Sequence, residues 1–196
     1  MPDENTKILR PGPLETAGYA VYQVAGFGDL WIAWVPEGLV MVRLSGEPPD
    51  DAERARWLSD LDALEELPVP GLLDDTLQRY FAGEPVDPAD LPVRMVGTKF
   101  QLKAWTALRA VRRGEVRTYK GLAKDVRAPR AMRAIGMAMG ANPIPIVIPC
   151  HRVVGAGLVL GGFSSGLDKK RFLLELEGVR VDGDRVRPRQ LGLLEG

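Results

Sequence analysis

Cys150 and His151 stand side by side in a chain of 196 residues that has no other cysteine and no other histidine. A thiol with an ordinary pKa of about 8.5 is only a few per cent ionised at neutral pH, so a nucleophilic cysteine needs a base, a cation or a helix terminus beside it. His151 and Arg152 are candidates for the base and the cation. One cysteine excludes an intramolecular disulfide, and one Cys with one His falls short of the usual four-ligand zinc site, so neither a metal nor a cofactor is expected. On composition alone the commoner arrangement is an inert buried thiol after the apolar run Ile146-Val147-Ile148, with His151 a satisfied core residue. Adjacent side chains on a strand also point to opposite faces, so the two groups meet only if the backbone turns or a water bridges them. Pro149 lacks an N–H and restricts Ile148, which favours such a turn.

The net charge of zero conceals a segregation. Residues 1–94 carry 7 Lys+Arg against 18 Asp+Glu, net −11, and residues 95–196 carry 19 against 8, net +11. A solvated surface explains single charges, but this asymmetry points to a polyanion meeting the second half. No apolar run approaches the ~18 residues of a membrane span, and Met1-Pro2-Asp3-Glu4-Asn5 lacks the basic and apolar parts of a secretory signal. A cytoplasmic protein with an ordinary globular core, at 45% hydrophobic residues, is the expectation.

Three strand-like runs, 19–24, 30–35 and 39–44, separated by Gly26-Phe27-Gly28 and Pro36-Glu37-Gly38, predict an antiparallel meander. Pro48-Pro49-Asp50 introduces a predicted helix with Trp57, Leu58, Leu61 and Leu64 at helical spacing, and a second helix is predicted over about 72–81. Gly83, Pro85, Pro88 and the change of charge sign place a boundary near 83–97, hence a supporting α/β domain over 1–90 and a basic domain over 91–196.

The basic half opens on Thr98-Lys99-Phe100-Gln101, a capping box, followed by a helix with Phe100, Ala104, Trp105, Leu108 and Val111 on one side. Arg109, Arg112 and Arg113 at its end suit either helix-dipole compensation or phosphate contact. Thr118 caps a short predicted helix to Val126, and Pro129 opens another to about Met139, together suggesting a helix-turn-helix. The second helix is built of small residues, Ala131, Ala134, Gly136, Ala138 and Gly140, with Arg130 and Arg133 beside them. That composition suits either close approach of another backbone or tight helix packing. Beyond a Gly-rich loop, Ser165 and Asp168 are expected to cap a helix over 167–176 ended by Gly178. Asp182-Gly183 signals a hairpin, Arg187 and Arg189 extend the basic character, and the last residues, 191–196, are expected to fray.

Pro149-Cys150-His151-Arg152-Val153 resembles the active-site signature of the O6-alkylguanine-DNA alkyltransferases, the methylated-DNA–protein-cysteine methyltransferases. Arg133-Ala134-Ile135-Gly136 through Asn142-Pro143 resembles their recognition helix and hinge, and 164–178 their closing helix, so the likeness covers roughly residues 80–180. It implies an α+β, two-domain fold: an N-terminal ribonuclease-H-like sheet with helices, and a mostly helical, winged helix-turn-helix-like C-terminal domain. It also implies a monomer acting on double-stranded DNA that contains O6-alkylguanine, with Cys150 taking the alkyl group irreversibly from guanine O6, and from O4 of thymine. His151 would take the thiol proton through a water, Glu177 would hold its other nitrogen, Tyr119 would donate toward guanine N3, and Asn142 would brace the backbone. Arg133 would fill the space of a flipped base, with Arg130, Tyr119, Ala134 and Gly136 along the DNA. Pro145, Val153, Phe163 and Ser164 would line the pocket. Many relatives have Tyr where this chain has Phe163, so a hydroxyl is missing there while the ring remains. Two other classes stay open: a non-repair helix-turn-helix DNA-binding protein, which would not use Cys150, and a cysteine hydrolase, which Cys-His alone suggests.

Overall fold

The computed structural model describes residues 17–59, 61, 64–187 and 190–191. Strands β1 (Gly18–Tyr22), β2 (Leu30–Val35) and β3 (Gly38–Arg43) form the expected antiparallel meander. All six residues of β2 are buried, because this strand lies inside the sheet and is covered on both faces. Gly38 opens β3 at φ +141°, and a Cβ there would lie 2.4 Å from the Pro92 carbonyl, so no other residue fits without moving that segment.

Helix α1 (Asp51–Trp57) starts on a capping box between Asp50 and Glu53. It ends sooner than the spacing of Leu61 and Leu64 predicts. Strand β4 (Glu65–Glu66) pairs parallel with β1, so the chain must be extended immediately after Leu64, and sheet pairing overrides the helical period. Helix α2 (Gly71–Phe81) buries Leu73, Leu77 and Tyr80 along one stripe.

In the second half, α3 (Lys99–Arg109) has the expected Thr98–Gln101 capping box and buries Ala104, Trp105 and Leu108. Strand β5 (Glu115–Thr118) runs directly into α4 (Tyr119–Asp125), capped by the Thr118 hydroxyl. Helix α5 (Met132–Gly140) begins three residues after Pro129, not at it. Pro129 instead occupies the second position of a turn closed by Ala131 N–H to Ala128 O, which leaves Arg130 in the turn and off the helix. Helix α6 (Leu167–Leu176) has the expected bounds, but Ser165 does not cap it. Its N-cap is Gly166, at φ +95° and without a side-chain bond, since the turn from Phe163 O to Gly166 N–H places Ser165 one residue too early. The helix ends on paired bonds from Gly178 N–H to Glu175 O and from Val179 N–H to Leu174 O.

Strands β6 (Val153–Val154) and β9 (Gln190–Leu191) flank β5 in parallel, and β7 (Arg180–Asp182) and β8 (Arg185–Arg187) form the hairpin, turning at Gly183. Arg189 and residues 192–196 lie outside the described residues.

One hydrophobic cluster runs from Leu30, Ile32 and Met41 of the sheet to Trp105, Ile135, Ile148 and Leu173 of the second half. Polar ties reinforce it. Val42 N–H donates to Pro143 O at 2.8 Å, and Lys169 Nζ to Leu44 O. The arginines at the end of α3 are occupied internally: Arg109 on Ala89 O and Leu91 O, Arg112 on Asp90, Arg113 on Gly83 O and Leu176 O. They bind the two halves together, and Arg109 also stands in the last turn of α3, where helix-dipole compensation places a cation. Among the described residues no helix is long and apolar enough to cross a membrane.

Candidate active site

The segment between α5 and Cys150 is held by Asn142. Its Oδ1 accepts from Ile144 N–H at 3.0 Å, and its Nδ2 donates to Ile148 O at 2.8 Å and to Cys150 Sγ at 3.1 Å. Ile146 sits at φ +74°, a strained conformation for a β-branched residue that costs about 1–3 kcal/mol. Burial of Ile144, Ile146, Val147 and Ile148, with Ile148 N–H on Ile144 O, keeps it there.

Pro149 then leads into a 3-10 turn, Cys150–Arg152. At about three residues per turn, successive side chains diverge by roughly 120°, so three neighbours in sequence face three different surroundings. Cys150 faces a cavity. His151 is buried with Nε2 2.9 Å from Glu177 Oε1, and its Nδ1 has no partner among the described residues. Arg152 turns away from the thiol. It spans Glu177 Oε2 from Nε at 2.9 Å, Asp87 Oδ1 from Nη2 at 2.8 Å, and Val111 O from Nη1 at 2.6 Å. Arg152 is therefore not the cation beside Cys150 that adjacency suggested.

Lys170 takes that part. It is fully buried on α6, donating to Val153 O at 2.7 Å and Gly162 O at 3.2 Å. Burial pushes its pKa down to about 8, opposed by the attraction of Cys150. Burial pushes the Cys150 thiol up, while the Asn142 hydrogen bond and the Lys170 charge pull it back toward ionisation. Burial likewise lowers His151, against the raising effect of Glu177. Burial alone would raise Glu177, but the charges and hydrogen bonds of His151 and Arg152 outweigh it and hold the carboxylate well below its usual range. Replacing Lys170 with Met should raise the thiol titration and slow iodoacetamide at neutral pH roughly tenfold. The lone thiolate's ultraviolet absorbance measures this directly, and an unmoved titration would exclude Lys170 as the stabilising cation.

A cavity of about 200 Å³ lies over the sulfur, lined by Tyr119, Gly136, Met139, Gly140, Gly162, Phe163 and Ser164. A larger cleft of about 530 Å³ also reaches Cys150, past Pro145, Asn142 and Ser164 toward Asp29, Arg43 and Lys169. Tyr119 is half-buried, its hydroxyl pushed up by burial and by the nearby thiol. The Val153 carbonyl, expected to face the substrate, already accepts from Lys170 and has one lone pair left for another donor.

Outside the cavity mouth, α5 presents an open face. A Cβ added at Gly136 or Gly140 meets nothing within 4 Å, so packing within the protein does not require these glycines. Arg133 and Met137 are exposed on this helix, Ala134 is half-buried, and Arg130 stands exposed in the preceding turn. Arg130 and Arg133 make no ion pair among the described residues.

Three site residues were missed in the sequence: Lys170, Tyr80 and Asp87. Lys170 had a readable signal, since Lys170, Leu173, Leu174 and Glu177 follow i, i+3, i+4, i+7, which places two charges on the buried stripe of α6 and its cap. Tyr80 and Asp87 had none, because their partners are far away in the chain.

Residues 99–179 match the family model described as 6-O-methylguanine DNA methyltransferase, DNA binding domain. A methylated-DNA–protein-cysteine methyltransferase of Haemophilus influenzae is 39% identical over 164 residues, 84% of this chain and 88% of that protein. The crystal structure of the Mycobacterium tuberculosis O6-methylguanine methyltransferase superposes with a TM-score of 0.69 at 36% identity, covering 86% of this chain and 97% of that one. The same organism's protein solved in complex with DNA matches at a TM-score of 0.69, over 82% and 92%. Similarity on this scale, over nearly the whole of those proteins and centred on the segment that carries Cys150, shows that the chain belongs to the methylated-DNA–protein-cysteine methyltransferase family.

Proposed function

We propose that the protein repairs DNA by transferring an alkyl group from guanine O6 to Cys150. The observation that carries this reading is the setting of the only thiol: at the floor of a cavity, with Asn142 on the sulfur, Lys170 nearby, and a buried His151–Glu177 pair behind it. The thiol proton passes through a water to His151 Nδ1, whose partner nitrogen Nε2 is held by ionised Glu177. The sulfur then attacks the alkyl carbon, the carbon–O6 bond breaks, and its electrons leave with the guanine. Tyr119 donates toward N3 as that charge develops. The thioether product has no bond that water readily cleaves, and no second cysteine exists to receive the group, so each molecule acts once.

The lesion reaches the sulfur by extrusion from the duplex. Arg133, on the open face of α5, fills the gap in the stack, while Ala134, Gly136 and Gly140 allow the groove edge to approach and Arg130 meets phosphate. Pro145, Phe163 and Ser164 close around the base and alkyl group. In this reading α4 and α5 form a winged helix-turn-helix in a domain of residues 91–196. The sheet of residues 1–90 has a ribonuclease-H-like architecture, and the protein works in the cytoplasm as a monomer. O4-alkylthymine, smaller but similarly placed, is a second substrate.

Arg133→Ala tests the extrusion. It should slow repair of O6-methylguanine in duplex DNA by roughly 10- to 100-fold, a loss of about 1.4–2.8 kcal/mol, and leave reaction with free O6-benzylguanine base nearly unchanged. Equal losses on both substrates would reject the flipping role of Arg133. No methyl transfer by the wild-type protein would reject the reaction.

A further inference from the structure

The hydroxyl of Tyr80, on α2 of the acidic half, donates to Glu177 Oε1 at 2.7 Å across 97 residues of sequence. The same oxygen holds His151 Nε2 at 2.9 Å and Arg152 Nη2 at 2.9 Å. Tyr80 is itself fully buried, and burial together with the Glu177 charge keeps its hydroxyl protonated far above neutral pH, so it can only donate here. Asp87, also from the acidic half, fixes Arg152 from the far side with Oδ1 at 2.8 Å and Oδ2 at 3.2 Å.

We infer that Tyr80 is a positioning residue for the proton relay: by sharing Glu177 Oε1 with His151, it limits how strongly that oxygen holds the imidazole proton, and Asp87 sets the opposing pull of Arg152. The acidic half thus contributes to the chemistry as well as to the core. A hydrogen bond to an anion spreads its charge, so each donor on Oε1 weakens its hold on the others. With the Tyr80 hydroxyl gone, Glu177 attracts the Nε2 proton more strongly and His151 becomes more basic. With the Asp87 charge gone, Arg152 acts on His151 uncompensated, and His151 becomes less basic.

The charges that face this network are few. Glu177 meets Tyr80 from α2 and His151 and Arg152 from the 3-10 turn. His151 also feels Lys170 from α6. Asp87 is approached by Arg112 Nε at 3.5 Å and by the Arg113 backbone N–H at 2.9 Å, and the Arg113 guanidinium lies 5.5 Å from the centre of the Tyr80 ring. His151 carries the one imidazole among them, so a midpoint read at the imidazole ring belongs to that residue.

His151 is the only histidine of the chain, so NMR of its ring in untagged protein reads the midpoint without ambiguity. Tyr80→Phe keeps the ring and removes only the donor. Its midpoint should rise by about half a unit or more, whereas that of Asp87→Asn should fall. Merely loosened packing would move both variants in one direction, toward the ordinary imidazole value. The acid limb of the methyl-transfer rate should follow the Tyr80→Phe midpoint. An unchanged Tyr80→Phe midpoint, or two shifts of the same sign, overturns the inference. If Asp87→Asn does not fold, Leu77→Ala takes its place, since it loosens the same helix without touching the donor: a midpoint rise as large as that of Tyr80→Phe overturns the inference, and a smaller one upholds it. The inference rests on the alkyl-transfer reading only for its consequence in rate. The titration needs no substrate, so failure of the reaction and failure of the relay are separate results.

Discussion

Mixed with duplex DNA carrying O6-methylguanine, the purified protein should gain the mass of one CH2 unit, a methyl replacing the thiol hydrogen, and then stop. Peptide mapping should place the methyl on Cys150, and repaired guanine should not exceed the protein added. Cys150→Ser should show no gain over the same period, because an alcohol beside this neutral His151 is not ionised enough to displace carbon from oxygen. Cys150→Ala should still bind the duplex, since the exposed arginines and the open face of α5 are unchanged. The same experiment separates the competing chemistries. Tight binding with no mass change would indicate a DNA-binding protein that does not repair. Sustained ester or peptide hydrolysis lost in Cys150→Ala would indicate a cysteine hydrolase. Turnover beyond one equivalent would contradict the single-use thioether, because the chain has no second thiol to regenerate the first.

Arg152→Met should cost about 3–5 kcal/mol of stability, which lowers the melting temperature by roughly 6–20 °C for a chain of this size. Arg152 is fully buried, and its loss leaves Asp87 and Glu177 facing each other without a cation between them. The acid side of the stability profile adds a sign that can be checked. Glu177 has a lower pKa in the fold than its ordinary 4.5, so its contribution is fully present above about pH 4.5 and is lost as pH falls through the folded value. In Arg152→Met that value moves up toward 4.5, so acid unfolding should begin at higher pH than in wild type. Thermal melts at neutral pH and an acid titration followed by circular dichroism measure both effects. A loss under about 1 kcal/mol would show that the network holds the fold only weakly and that its conservative replacement is tolerated.

Sequence and structure divide the credit along physical lines. The meander, the Thr98–Gln101 capping box and the bounds of α2 and α6 were legible because local rules specify them: strand runs broken by glycine, side chains that reach backbone three residues on, and a helical stripe. The nucleophile was legible because it is the only thiol and stands in a short distinctive segment. The start of α5 was misplaced because proline suits both the first turn of a helix and the second position of a β-turn, and only the closing bond from Ala131 to Ala128 distinguishes them. The length of α1 was misjudged because a distant strand required its extended successor.

What the sequence alone determined, then, is the reacting atom, the family signature around it and the segregation of charge. Only the tertiary structure decided which charges serve that atom. Arg152, next but one in sequence, is carried away by the 3-10 turn, while Lys170, twenty residues on, is brought near. Tyr80 and Asp87 reach Glu177 and Arg152 from the other half of the molecule. Charges act through space with a strength set by distance and burial, and chain order specifies neither until the core has closed around them.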